Sequence, residues 1–99
     1  MIRLALVEDD ALYRSQLREY IDKYSAASGE KFTVTEFSDG DEIALGYKAV
    51  YDIILMDIEM PGMSGLDAAR AVLAQRPSCR VIFVTAYSLF QYAHEAMHL

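Results

Sequence analysis

Two apolar stretches of this chain run directly into acids. Ile2-Arg3-Leu4-Ala5-Leu6-Val7 leads to Glu8, Asp9 and Asp10, and Ile53-Ile54-Leu55-Met56 leads to Asp57. In a doubly wound parallel sheet, ligands bind outside the carboxyl ends of the strands, where the strand order reverses. Acids at two such ends would therefore meet at one edge. Three or four carboxylates gathered there repel one another unless a cation intervenes. Hard oxygen donors in small number, with room for water and a phosphate oxygen, suit Mg²⁺ better than a softer metal.

The elements that must position these acids alternate along the chain. After the first strand, Leu12, Leu17, Ile21 and Tyr24 recur at helical spacing and predict a helix ending near Ser28-Gly29. Asp10 begins that helix, where its charge suits the dipole. Phe32 to Phe37 is a second strand whose apolar and polar alternation predicts an edge or half-covered position. Ser38-Asp39-Gly40-Asp41 predicts a turn with Ser38 as helix cap, followed by a helix with Ile43, Tyr47 and Val50 inward. Ile53 to Asp57 is the third strand, with Asp52 as a strand-end cap. Ser64-Gly65-Leu66-Asp67 repeats the capping pattern before a helix with Leu66, Ala69, Val72 and Leu73 inward, stopped by Pro77. Arg80 to Thr85 is apolar on both faces, as buried parallel strands are, and a last helix carries Phe90, Ala93 and Met97 inward. The βαβαβαβα order predicts an α/β domain, a doubly wound parallel sheet with helices on both faces.

Composition narrows the function. The 99 residues suit one domain, since domains span about 50 to 250 residues, and a hydrophobic content of 54% supplies a core. The single cysteine, Cys79, forms no internal bridge, and no leader-like segment precedes the first strand, which points to a reducing cytoplasm. No apolar run approaches the roughly 20 residues needed to span a bilayer. With 15 acidic against 9 basic residues and a net charge of −6, the chain lacks the basic footprint of a nucleic-acid binder. Direct DNA contact would fall to another domain.

The chain resembles the receiver domain of two-component response regulators over its whole length. The family's acidic pair after strand one is matched by Glu8 and Asp9, its phosphoacceptor by Asp57, and its M-P-x-x-S/G-G loop by Met60, Pro61, Ser64 and Gly65. Its switch hydroxyl is matched by Thr85, with small Ala86 behind it; alone, Thr85 would be an ordinary β-branched strand residue. Thr85-Ala86-Tyr87, with Tyr92-Ala93 and Glu95-Ala96, further resembles receivers that carry a LytTR-type DNA-binding output domain. The resemblance implies a flavodoxin-like receiver fold with strand order 2-1-3-4. It implies a signalling switch rather than an enzyme: Asp57 accepts a phosphoryl group from a histidine kinase. Mg²⁺ is then held by Asp9, Asp57 and the backbone carbonyl of Glu59, with Glu8 acting through water. Thr85 turns toward the new phosphoryl oxygens to signal to an output domain. The family also has a fifth strand and helix, supplying a lysine and an aromatic. Residues 1–99 are therefore expected to be a receiver incomplete at its C-terminal end, self-associating through the open edge of strand four or by exchange of the last helix.

Three other readings compete with the switch. His94-Glu95-Ala96-Met97-His98 spells H-E-x-x-H, the zinc-protease helix. A catalytic zinc needs a third protein ligand, and these are the only two histidines in the chain. A haloacid-dehalogenase-type hydrolase would use Asp57-Ile58-Glu59 as its D-x-D pair, but 99 residues leave little space for its further acids, lysine and cap. An interaction module that dimerises without phosphate chemistry is the third, and would be indifferent to loss of the Asp57 carboxylate. No P-loop pattern is present.

Overall fold

Strands β1 (Ile2–Val7) and β3 (Ile53–Asp57) are apolar in both side-chain phases, and the fold buries both. Successive strand side chains point to opposite faces, so one phase serves each layer. Leu4, Leu6, Ile53 and Leu55 pack with Leu17 and Ile21 of α1 (Ala11–Ser28). Ala5, Val7, Ile54 and Met56 pack on the other face with Ile43 and Ala44 of α2 (Gly40–Gly46) and Ala68 and Val72 of α3 (Gly65–Gln75). Fully burying one such aliphatic side chain stabilises the fold by about 1.5 to 3 kcal/mol. The computed structural model describes residues 1–46, 51–58, 60 and 62–84.

With β2 (Phe32–Phe37) and β4 (Arg80–Val84), the strands form one parallel sheet in the order β2-β1-β3-β4. That is the expected 2-1-3-4 arrangement. The order reverses at β1, so the crevice between β1 and β3 is the predicted ligand position. Among the described residues, no helix is long and apolar enough to cross a membrane.

Several local expectations are corrected. Leu12 is 71% exposed rather than inward. It precedes Leu17 by five positions, off the stripe of a 3.6-residue helix, and half-buried Tyr13 takes the inward place. Tyr24 is exposed as well, covered on one side by Phe32 at 6.1 Å between ring centroids. In α3 the buried stripe is Gly65, Ala68, Ala69 and Val72, which leaves Leu66 beyond its rim. The cap of α2 is Asp39, not Ser38: Glu42 N donates to Asp39 Oδ1 at 2.8 Å, while Ser38 N donates back to Glu42 Oε1 at 3.1 Å. The capping logic holds, shifted by one residue. Among the described residues β4 is the outermost strand beside β3, the open edge expected for strand four, and its apolar side chains are less buried than two-faced apolarity predicts, with Ile82 49% and Phe83 38% exposed. Expectations for Tyr47, Val50 and the last helix, with His94 and His98, fall outside the described residues.

Other boundaries agree with the sequence. Asp10 caps α1, accepting from Tyr13 N at 2.9 Å, and Gly29 closes it at φ 79°, a left-handed conformation natural to glycine. Helix α3 ends before Pro77, capped at Ser64, whose hydroxyl accepts from Asp67 N at 3.2 Å.

Asp52 does more than cap a strand. It accepts from Arg3 N at 2.9 Å, pairs with the Arg3 guanidinium at 3.1 Å and lies 3.6 Å from that of Arg76. These hydrogen bonds, the Arg3 side chain's first, hold its carboxyl down at about 2 against an ordinary 3.8. A depressed carboxylate contributes stability above its unfolded value, and that contribution disappears as pH falls through the folded one. Denaturant titrations between about pH 5 and pH 2 should therefore show Asp52→Asn less stable than the unaltered chain at the upper end, with the two converging toward the lower. Parallel profiles would contradict this assignment.

Candidate functional site

Parallel pairing sets Val7 of β1 opposite Met56 of β3. One step further along each strand come Glu8 and Asp57, and Asp9 follows Glu8. The three carboxyl groups each bring an oxygen within 4.8 Å of the others. Glu8 and Asp57 are 1% and 7% exposed, while Asp9 lies open to solvent. Two full charges at that separation repel by on the order of 3 to 4 kcal/mol at an effective dielectric of about 20. The cluster therefore favours a proton or a cation among its oxygens.

Glu8 is tied down at almost every polar atom. Its N–H donates to the carbonyl of Phe37 at 3.1 Å, its carbonyl accepts from Arg14 Nη1 at 2.7 Å, and its Oε1 accepts from Asp10 N at 3.2 Å. Its Oε2 is buried with no hydrogen-bond partner. Burial, opposed by the Asp10 amide and reinforced by the charges of Asp57 and Asp9, pushes its carboxyl up to about 8 from an ordinary 4.5. Tyr13 stands close enough to feel the same field: burial first, then the charges of Glu8 and Asp57, raise its phenol above the ordinary 10.0. A buried oxygen without a donor, beside two more carboxylates, fits a hard divalent cation, which would give Oε2 its missing partner and offset the repulsion.

The loop after β3 folds hard against Asp57. Gly65 N donates to the carbonyl of Ile58 at 2.9 Å, and a Cβ at position 65 would stand 2.1 Å from the Asp57 carbonyl oxygen. Only glycine fits there. Gly62 turns the loop at φ 79°, and Met60 is buried in the α2 and α3 layer, its methyl near Gly40. Of the sequence-predicted site residues, the structure thus brings Glu8, Asp9 and Asp57 together and places Met60, Ser64 and Gly65 behind them. Glu59, Pro61, Thr85 and Ala86 lie outside the described residues.

Sequence reasoning missed Arg14. Its Nε also pairs with Glu36 Oε1 at 3.4 Å, and Arg18 Nη1 takes Glu36 Oε2 at 3.2 Å. One signal was available: Glu36 occupies the phase of β2 that Phe32 and Val34 fill with apolar side chains. An acid in that phase calls for a cationic partner on the covering helix.

Residues 4–99 match the family model of the response regulator receiver domain. The chain belongs to that family. This receiver is 33% identical over 97 residues to the uncharacterized transcriptional regulatory protein YxjL of Bacillus subtilis, covering 97% of this chain and 43% of that protein. It thus spans less than half the length of that relative. Among solved structures it is similar to the response regulator TrrA of Thermotoga maritima in complex with Mg²⁺–BeF. That likeness has a TM-score of 0.75 and 29% identity, covering 93% of this chain and 76% of the other. The likeness extends to TrrA in complex with the histidine kinase ThkA, with a TM-score of 0.69, 31% identity, and coverage of 89% and 72%.

The state of Glu8 gives this receiver a pH signature. A carboxyl that titrates near 8 when folded and near 4.5 when unfolded binds more protons in the native state between those values, so metal-free stability falls as pH rises across that window. Glu8→Gln, which carries no charge to bury, should flatten that slope and be the more stable protein above the window in EDTA. Thermal melts across the window check this, and an identical slope in the variant would refute it.

Proposed function

We propose that this receiver is the phosphoacceptor switch of a two-component system. Residue by residue, a carboxylate oxygen of Asp57 attacks the phosphorus of a kinase phosphohistidine. The P–N bond breaks, an acyl phosphate forms on Asp57, and the departing imidazole nitrogen takes up a proton. Asp9, Asp57 and the Glu59 carbonyl would hold Mg²⁺, with Glu8 acting through water. The ion supplies positive charge to the transferring oxygens. The single observation that carries this reading is the convergence of Glu8, Asp9 and Asp57 within 4.8 Å at the end of the central strands. The orphaned Oε2 of Glu8 supports a cation, or a water it carries, at the same place.

Thr85, with Ala86, is the proposed hydroxyl that answers the new phosphoryl group, a two-state element biased by one modification. The kinase partner is supported by the complex of TrrA with ThkA, and a transcriptional output by the likeness to the transcriptional regulatory protein YxjL. Each chain accepts one phosphoryl group and stores it, so the role is that of an acceptor in the cytoplasm rather than an enzyme turning over a substrate. Intact mass after incubation with acetyl phosphate and Mg²⁺ should show a single phosphoryl adduct, abolished by EDTA and absent from Asp57→Asn. No adduct on a folded chain would give way to the interaction-module reading.

Self-association through β4 belongs to the same proposal. Among the described residues β4 is the outermost strand and carries exposed Ile82 and Phe83, which supports pairing of this strand with another chain. Light scattering coupled to size exclusion should show dimers at micromolar concentration, and a monomer throughout would defeat the idea.

A further inference from the structure

We infer that Arg14 is a positioning residue for the acidic pocket, gripping the backbone of Glu8 and anchoring it to strand β2. The inference rests on the reading of that pocket as the Mg²⁺ and phosphoryl site. Arg14 touches none of the three carboxyl groups by the hydrogen bonds and ion pairs described above. Its Nη1 donates to the Glu8 carbonyl at 2.7 Å and its Nε pairs with Glu36 at 3.4 Å, so one planar group spans the end of β1 and the edge strand. The backbone is held on both sides of the Glu8 Cα, by the N–H donating to the Phe37 carbonyl, next to Glu36, and by Arg14 on the carbonyl of the Glu8–Asp9 peptide. Asp9 hangs from that peptide. Its placement near Asp57 therefore depends on how firmly the peptide is held.

Charge and position make opposite predictions here, which permits a test by sign. Arg14 is a cation beside an acidic pocket, so removing it by charge alone should tighten the binding of another cation. If it acts by positioning, removal should loosen that binding, as loss of the groups that orient metal ligands commonly does, by about 10-fold or more. Arg18 is the natural control: it shares Glu36 through Nη1 at 3.2 Å, and its own described bonds go to Glu36 and Asp22 instead of Glu8.

The experiment is calorimetric titration of Mg²⁺ into the chain and its variants, with thermal midpoints measured in EDTA. Arg14→Met should bind Mg²⁺ about 10-fold more weakly, while Arg18→Met keeps the unaltered affinity even where its midpoint drops. Should Arg14→Met fail to fold, Arg14→Lys decides. It keeps the charge and stem but not the fork that serves two acceptors at once, and its Mg²⁺ affinity should also fall. Unchanged or tighter binding by the Arg14 variants, or equal weakening by Arg14→Met and Arg18→Met, would overturn the inference. Absence of Mg²⁺ uptake by the unaltered chain would instead overturn the reading of the pocket on which it rests.

Discussion

Three carboxyl groups within 4.8 Å of one another at the end of a sheet form a charge arrangement that a folded chain does not sustain unaided. Neutralising one of them is the least costly escape, and Glu8 takes it by holding a proton well above the usual carboxylate range. The remainder of the architecture can be read as what keeps that conflict in place. Parallel pairing of Val7 with Met56 brings the strand ends level, two apolar layers lock the strands, and the Phe37 and Arg14 bonds stop the Glu8 backbone from relaxing away. A cation that enters the cluster replaces the proton and relieves the same repulsion. The pocket is thus set up for occupancy by burial and register, with the acids themselves supplying the drive.

The opposite end of β3 shows what the same chemistry does when it is satisfied. Asp52 is surrounded by Arg3 and Arg76, and its carboxyl stays ionised down to about 2. An acid so completely matched ties strand and loop together and offers nothing to a ligand. One strand therefore carries a structural acid at its start and a chemical one at its end, and the difference lies in which side chains the neighbouring elements turn toward each.

Much of this was legible in the sequence, because β1 and β3 are apolar in both phases and end in acids. Periodicity marked the strands and the order of elements, the acids closing two of those strands pointed to one sheet edge, and the choice of Glu8 and Asp9 as the partners of Asp57 came with the resemblance to receivers. It was less informative where a stripe had to be placed on a helix. Leu12 and Leu66 are apolar residues that fall off the buried stripes of their helices, and small Ala68 and Gly65 take the inward positions that a search for large side chains passes over. Ser38 and Asp39 are both good caps, and only the geometry of the turn selects between them. Arg14 was harder to find because its bond to Glu8 is to a backbone carbonyl, which leaves no residue-type signature, and only Glu36 in the apolar phase of β2 hinted at a cation on the covering helix.

The contact at Gly65 carries a consequence for how such a chain can diversify. Every other amino acid adds at least the one carbon that would meet the Asp57 carbonyl at 2.1 Å, so position 65 is closed to variation. The next residue, Leu66, is exposed beside it and open to nearly any side chain. Freedom and prohibition thus sit one residue apart at the start of α3. Substitution at position 66 therefore leaves untouched the fit that holds the helix against the strand.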